Sequence, residues 1–570
     1  MKSKENEKLY NLRHSAAHLL AQAVVELYPG TKLTLGPVTE HGFFYDFQPT
    51  KNFKEEDLPA IEKKMHEIAK KDLKIVGKEI SKDEAKKLFA DSPFKLEMIE
   101  NIEDEKVGIF SQGDFFDLCK GGHLNSTKDI KHFKLTAVSG SYWRADKKNA
   151  PLQRISGIAF ESKADMDAYF KMVEESKLYD HRKLGKELDL FSFHQEAPGS
   201  PFYHEKGLRV YNKLIDYSRK KHKKDYQEVK TPLVMSEALW KVSGHYDNYK
   251  ENMYFTTVDE DVNCIRPMNC PGGILIYKER PHSYRELPLR MMEYGSVYRY
   301  ELSGVLHGLF RVRTFTIDDA HIFCSKEQIE KEVIGVVKLA SEMYKKFGFE
   351  KVKMGVSTRP QKAMGSKELW DVATNALKKA MEAQGIDYQI QEGDGAFYGP
   401  KIDMVVEDAM GREWQCGTVQ LDFFLPQNFK LEYVASDQSK ETPVIIHRAL
   451  YGSIERLFGI LLEHHKGRLP FWLAPVQVSV LTITDDQNTY GQKICDVLSD
   501  AGIEVELDDA SDKISAKIRR AQMQKIPWML VIGKKELEKN VVTLRHSDGK
   551  QEFDLKLEDV VERAKELSKY

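Results

Sequence analysis

Between Val476 and Ile532 the chain alternates strand, helix, strand, helix, strand, and this pattern limits the fold more than any other feature. An apolar run over residues 476–483 is followed by a helix over 489–502 that Gly502 stops, and then by a strand over 504–507, a helix over 514–524 and a strand over 528–532. Such alternation predicts a small α/β domain on a parallel sheet. The pattern begins after Trp472-Leu473-Ala474-Pro475, and upstream of it the chain reads differently. Helices over 208–221, 326–347 and 366–384 are interspersed with an extended stretch at 226–230 and β-rich stretches at 290–325 and 398–425. Strands with occasional helices predict an antiparallel-sheet α+β domain. At the start, Leu12, Ala16, Leu19, Ala23 and Leu27 fall on one stripe of a helix that Pro29-Gly30 ends. Mixed strands and helices follow, and a charged helix over 165–182 reads as a linker. The division expected is 1–180, 181–472 and 473–570, within the three or four domains that about 100–200 residues per domain allow for 570 residues.

With 41% hydrophobic residues the chain can bury several cores. No apolar run approaches the roughly 18 residues of a membrane span, and the charged start has no signal-peptide pattern, so a cytoplasmic protein is expected. The six cysteines, at 119, 264, 270, 324, 416 and 495, have no pairing pattern; a metal or catalytic role for one or two fits better than a disulfide framework. A net charge of −2 gives no bulk attraction to a polyanion. Binding of nucleic acid would have to use local runs such as residues 219–224 and 513–525.

His14 and His18 stand four apart on the opening helix, which puts both imidazoles on one face. Far downstream, Cys119-Lys120-Gly121-Gly122-His123 offers a second pair on a glycine-permitted turn. Together these groups suit either a metal site or a hydrolytic pocket. A second constellation lies in the middle region. Arg290 to Glu301, then a loop from Leu302 to Gly308, then Leu309-Phe310-Arg311-Val312-Arg313-Thr314-Phe315 form an arginine-bearing strand, loop and strand that can bracket a nucleotide. Ala449-Leu450-Tyr451-Gly452-Ser453-Ile454-Glu455-Arg456 is a strand-to-helix passage with glycine where backbone must come close.

These strings resemble the threonyl-tRNA synthetase family, a class II type, in order and over nearly the whole chain. The N-terminal part, His14-Ser15-Ala16-Ala17-His18, Gly42-Phe43-Phe44-Tyr45-Asp46 and Asp117-Leu118-Cys119-Lys120-Gly121-Gly122-His123, is similar to the family's editing domain. The resemblance implies hydrolysis of mischarged seryl-tRNA, with His14, His18, Cys119 and His123 lining a pocket that works through a positioned water and with Tyr45 and Asp117 placing the substrate. For the class II core it implies that Arg299 holds the α-phosphate and the amino-acid carboxylate, Glu301 accepts from adenine, Phe315 stacks on it, and Arg311 and Arg456 meet the terminal phosphates. Met268, Tyr398, Lys401, Gln415 and Thr418 are expected around threonine and the nucleotide, Lys401 among the catalytic residues, and His245 near the 3′ end of the tRNA, where it would help deprotonate the attacking ribose. Cys270, His321 and His447, far apart in sequence, are implied as ligands of one Zn2+, with Asp319 accepting from the threonine hydroxyl and Mg2+ accompanying ATP.

Physics makes two selection steps sensible. Threonine and serine differ by one methyl, worth only about 1–3 kcal/mol of discrimination. The resemblance further implies tRNA(Thr), ATP and threonine as partners, an anticodon-binding C-terminal domain, a homodimer built on residues 208–232, and no membrane association. A small ubiquitin-like domain often found before the editing domain is not expected here. Gly273 replaces a histidine and Ile317 a glutamine of the family pattern, and Asp508-Asp509 stands where relatives are more basic. Lys513, Lys517, Arg519 and Arg545 are then the candidate RNA contacts. A non-catalytic tRNA-binding paralogue would show damaged metal ligands or lost arginines, and Cys270, His321, His447, Arg299, Arg311 and Arg456 are all present.

Overall fold

The computed structural model describes residues 4–570. The chain falls into two compact units, Met1–Glu174 and Glu175–Tyr570.

In the first unit the helix Lys4–Leu27 lies on a four-stranded antiparallel sheet ordered Lys32–Leu33, Gly42–Gln48, Pro151–Phe160, His132–Tyr142. Leu12, Ala16, Leu19 and Ala23 are buried with Phe43, Phe47 and Ile155, and the helix Leu58–Lys70 adds Ile61, Met65 and Ile68 to the same core. Leu27 is 38% exposed, so the apolar stripe ends a turn earlier than its spacing predicts. A Cβ on Gly42 would stand 2.0 Å from the Gly157 carbonyl oxygen; only glycine lets these strands approach there. A second sheet, of Ile75–Ser81, Lys106–Gln112 and Phe115–Leu118, carries the helices Lys82–Leu88 and Pro93–Glu100. As the chain leaves this sheet, Gly121 and Gly122 take φ of 109° and 87°, which side chains rarely tolerate, and the turn brings His123 back to the first helix.

The second unit is built on an eight-stranded sheet ordered Gln227–Glu228, Leu289–Tyr298, Thr314–Cys324, Val444–Ala449, Glu413–Asp422, Lys401–Glu407, Val352–Ser357, Tyr388–Gln391. The six central strands are antiparallel, and a parallel pairing closes each edge. The helices Glu205–His222, Ile329–Lys346, Lys367–Glu382 and Ile454–His464 share one core with it. This is the antiparallel α+β architecture expected. The C-terminal sheet is ordered Val505–Asp508, Val478–Thr482, Trp528–Ile532, Val542–His546, Gln551–Leu555. Its first three strands are parallel, as the alternation predicts, but the last two are antiparallel additions.

The single helix expected over 165–182 is two, Lys163–Leu178 and His181–Glu187. Asp180 is the reason: its carboxylate accepts from the Arg182 N–H at 2.8 Å, an N-cap that starts a new helix. Both basic runs lie mostly at the surface, but each has members taken up inside the fold. Arg219 pairs with Asp216 and Glu228, and His222 is buried. Lys517 is also buried and donates to the Thr482 and Asp508 carbonyls, which removes it from the candidate RNA contacts. Arg520 binds Asp508 and Asp512, so the acidic pair is partly neutralised within the fold.

Candidate functional site

The first site follows from the register of the central strands. Along Thr314–Cys324 alternate residues face one way, so Phe315, Ile317 and Asp319 line one wall of a cavity of about 470 Å³ with Arg299, Arg311, Arg456 and Tyr398. Met268, Cys270, Glu301, Gln415, Thr418 and His447 complete the sequence-predicted residues found there. His321, next in the alternation, is outside the lining but converges with Cys270 and His447, which are part of it. His245 and Lys401 are not part of the lining. His245 is wholly buried, with one ring nitrogen 2.8 Å from the Ser243 hydroxyl and the other 3.0 Å from the Met268 sulfur. Burial, then His447 and Arg299, push its pKa down to about 3. Lys401 pairs with Asp403 at 2.9 Å.

Arg299 and Arg456 are held by backbone carbonyls and Arg311 by a carboxylate. Arg299 donates to the Pro267 carbonyl at 3.1 Å and lies over Phe315, 5.0 Å from its ring centre. Arg456 donates to the Gln415 and Phe310 carbonyls at 3.2 and 3.0 Å. Arg311 and Glu301 pair across the loop at 2.9 Å, leaving both on the cavity wall. Gly452, at φ 76°, permits the passage into the helix that carries Arg456.

Cys270, His321 and His447 converge so that one ligand atom of each lies within 4.8 Å of the others, all three buried. His447 Nε2 meets Asp422 at 2.9 Å, while its Nδ1 and the Nε2 of His321 are buried without a hydrogen-bond partner. Two orphaned imidazole nitrogens beside a thiol are costly unless something accepts them. A divalent soft-to-borderline metal does so, and a carboxylate behind one histidine is the usual outer support of such a ligand. Burial pushes the Cys270 thiol up, but His447 and His321 outweigh it and bring it to about 7, so a thiolate is accessible near neutrality. A Cβ on Gly273 would lie 3.4 Å from His321 Nδ1, so glycine keeps that flank of the cluster open.

The second site lies in the first unit. His14, His18, Cys119 and His123 also bring ligand atoms within 4.8 Å. The Leu124 N–H donates to the Ser15 hydroxyl, which lies 3.2 Å from His123 Nδ1, while His123 Nε2 faces Cys119 Sγ at 3.1 Å. His14 Nε2 lies 3.4 Å from the same sulfur. Burial, with His18 and His14, holds His123 down to about 2, and burial raises Cys119 to about 11. The cluster is therefore electrically neutral near pH 7. A cavity of about 530 Å³ opens beside it, lined by His14, His18, Cys119, Asp117 and Lys95. Lys95 has no sequence signal, because a lysine in a charged helix reads as surface. Here it is 1% exposed, bonds the Tyr45 hydroxyl at 3.1 Å and pairs with Asp117, which also accepts from Tyr45. Asp422, likewise given no role from sequence, is found behind His447.

Curated relatives agree along the chain's length. A "Threonine--tRNA ligase" of Clostridium tetani is 53% identical over 97% of this chain and 86% of its own. The chain belongs to the threonine–tRNA ligase family. The relative of that name from Acetivibrio thermocellus is 52% identical over 98% of this chain and 88% of its own. Family models match in sequence: the threonyl and alanyl tRNA synthetase second additional domain over 107–156, the class II core domain (G, H, P, S and T) over 253–465, and an anticodon binding domain over 477–567. A crystal structure described as the RNA binding domain of threonyl-tRNA synthetase from Cryptosporidium parvum shares 44% identity and a TM-score of 0.67, covering 68% of this chain and 98% of that one. Within the threonine–tRNA ligase family, the central cavity falls in the class II core match, and the Cys119 loop falls in the additional-domain match. Among the described residues no helix is long and apolar enough to cross a membrane.

Proposed function

We propose that the chain activates threonine with ATP, transfers the threonyl group to the 3′ end of tRNA(Thr), and hydrolyses seryl-tRNA(Thr) in its first unit. The observation that carries the reading is the central cavity, where a buried Cys-His-His cluster and three arginines share one wall system within the class II core. In the first step a threonine carboxylate oxygen attacks the α-phosphorus and pyrophosphate leaves. Arg299 meets the charge developing on the α-phosphate, and Arg311 and Arg456 take the β- and γ-phosphates through planar, forked donors. Glu301, released from Arg311 as the phosphates arrive, accepts from the adenine amino group, and Phe315 stacks on the ring. Mg2+ accompanies ATP.

Zn2+ on Cys270, His321 and His447 would offer an open position that the amino and hydroxyl groups of threonine fill and the methyls of valine leave empty. Asp319, held by the Asn269 amide at 3.1 Å, accepts the threonine hydroxyl proton. Tyr398 and Met268 shape the amino-acid end, Gln415 and Thr418 the nucleotide end, and Lys401 supports Asp403 behind Gln415. His245 fixes Met268 and, with neither nitrogen free, positions the site near the tRNA terminus. In the second step a ribose hydroxyl attacks the carbonyl carbon and AMP leaves.

For editing, a thiol at about 11 is not a nucleophile at neutral pH. Water attacks the seryl ester carbon, the ester bond to ribose breaks, and neutral His14 and His18 take and return the proton. Lys95, Asp117 and Tyr45 place the substrate. The proposed division of labour is 1–180 for editing with its linker, 181–472 for catalysis and 473–570 for the anticodon, in a cytoplasmic homodimer. Threonine-dependent exchange of pyrophosphate into ATP with zinc present tests the reading, and no exchange sinks it. Serine should accumulate on tRNA in a His14→Ala/His18→Ala double variant and not in the parent; equal accumulation means the first unit does not edit.

A further inference from the structure

His181, at the start of the helix His181–Glu187, has no place in the chemistry above, yet it is completely buried and fully bonded. Its Nδ1 lies 2.7 Å from Glu463 Oε1, and its backbone N–H donates to the same oxygen at 2.9 Å. Its Nε2 is 2.9 Å from the Leu309 backbone nitrogen. A backbone N–H can only donate, so Nε2 must accept and Nδ1 must carry the proton that goes to Glu463. One tautomer is thereby fixed between a carboxylate and the loop that precedes Arg311. The ring also lies 4.0 Å from that of Phe310, the residue before Arg311. On its other side Phe310 meets Trp414 at 4.4 Å, and the Phe310 carbonyl accepts from Arg456. Glu463 Oε2 in turn lies 2.6 Å from Arg412, whose guanidinium covers Trp414. The approach is possible because residue 308 is glycine: a Cβ there would stand 2.2 Å from His181 Nε2.

We infer that His181 is a positioning residue for ATP: with Glu463 behind it, it locks the backbone of Leu309 and the ring of Phe310, and so sets Arg311 and Arg456 at the spacing the terminal phosphates require. The inference rests on the functional reading above. Asp180, His181 and Glu463 also lie close enough to suggest a metal site. Both ring nitrogens of His181 are spent on hydrogen bonds, and that excludes it.

The test uses the full chain. His181→Ala removes both bonds; His181→Gln restores an acceptor at the reach of Nε2; His181→Asn restores only a donor near Nδ1. In threonine-dependent pyrophosphate exchange, His181→Ala should raise the KM for ATP about tenfold with the KM for threonine within twofold of the parent. His181→Gln should recover most of that loss and His181→Asn little of it. Thermal melting separates folding from positioning: a plain structural role would lower Tm and move both KM values and kcat together, with no ranking of Gln over Asn. That outcome, or an ATP KM unchanged in His181→Ala, overturns the inference. Should His181→Ala not fold, the Gln and Asn variants decide alone. Calorimetric binding of ATP with Mg2+ gives a readout without catalysis. A parent silent in exchange sinks the functional reading, while unchanged ATP affinity in the variants sinks this one.

Discussion

Single residues in this protein matter through what they leave unpaired. His447 reaches the Cys-His-His cluster with Nδ1 because Asp422 holds Nε2 at 2.9 Å. Asp422→Asn keeps the shape and weakens that hold. Outer-shell partners of metal histidines are worth about 10–100-fold in affinity, so if the cluster takes the proposed Zn2+, retention of added Zn2+ under competition with a chelator should fall by that factor while the fold stays intact. Metal content equal to the parent's at all chelator concentrations would rule the role out. Lys95 presents the opposite case. Lys95→Met leaves Asp117 buried without its cation, and breaking one side of a buried pair costs about 3–5 kcal/mol. The urea midpoint should drop accordingly, and a Lys95→Met/Asp117→Asn double variant should regain part of it. If the double variant is no more stable than the single, the two side chains are not coupled.

At the scale of elements, what was legible in the sequence was what periodicity or a contiguous motif carries. The opening helix, the C-terminal alternation and the strand bearing Phe315, Ile317 and Asp319 follow from local pattern, and the central antiparallel sheet from composition of its stretches. What the pattern could not carry was closure at a distance. The antiparallel strands Val542–His546 and Gln551–Leu555 join the C-terminal sheet through pairing with Trp528–Ile532, which no local period announces. The break at Asp180 is a single side-chain hydrogen bond. Cys270, His321 and His447 came only from resemblance, since three separate elements deliver them. The glycine at 452 shows how an element places a side chain. It sits at φ 76°, and a Cβ would lie 2.6 Å from the Cys416 carbonyl oxygen. Gly452→Ala is strained by both conformation and contact, with about 1–3 kcal/mol for the conformation alone. The helix Ile454–His464 must shift to relieve it, and Arg456 moves with the helix. The expected result is a lower Tm together with a raised KM for ATP; a variant with parental values for both would mean the passage is pliant.

For the molecule as a whole, histidines buried in neutral form are one source of acid sensitivity, opposed by the buried Asp318 and Glu455, whose carboxyls burial pushes up to about 7 and about 8. His222 donates from Nδ1 to the Ser218 carbonyl at 2.6 Å, and His465 from Nε2 to the Phe347 carbonyl at 2.9 Å. Burial, then Arg448, pushes His222 down to about 3, and burial, then His464, pushes His465 down to about 4. In the unfolded chain both return to about 6.5. Between those values the unfolded state binds more protons than the folded one, so stability falls as the pH is lowered. The contribution is fully present above about 6.5 and is lost progressively below it, at roughly 1.4 kcal/mol per pH unit for each histidine. Carboxylates held low by partners, such as Glu286 at about 2 beside Arg280, give up their share only at far lower pH. The share of His222 and His465 in the urea midpoint should therefore begin to fall near pH 6.5 and decline to pH 4.5. His222→Gln, which keeps a donor for Ser218 and cannot be charged, should flatten the decline. A dependence on pH between 7 and 5 that His222→Gln leaves unchanged would place the acid sensitivity elsewhere in the chain.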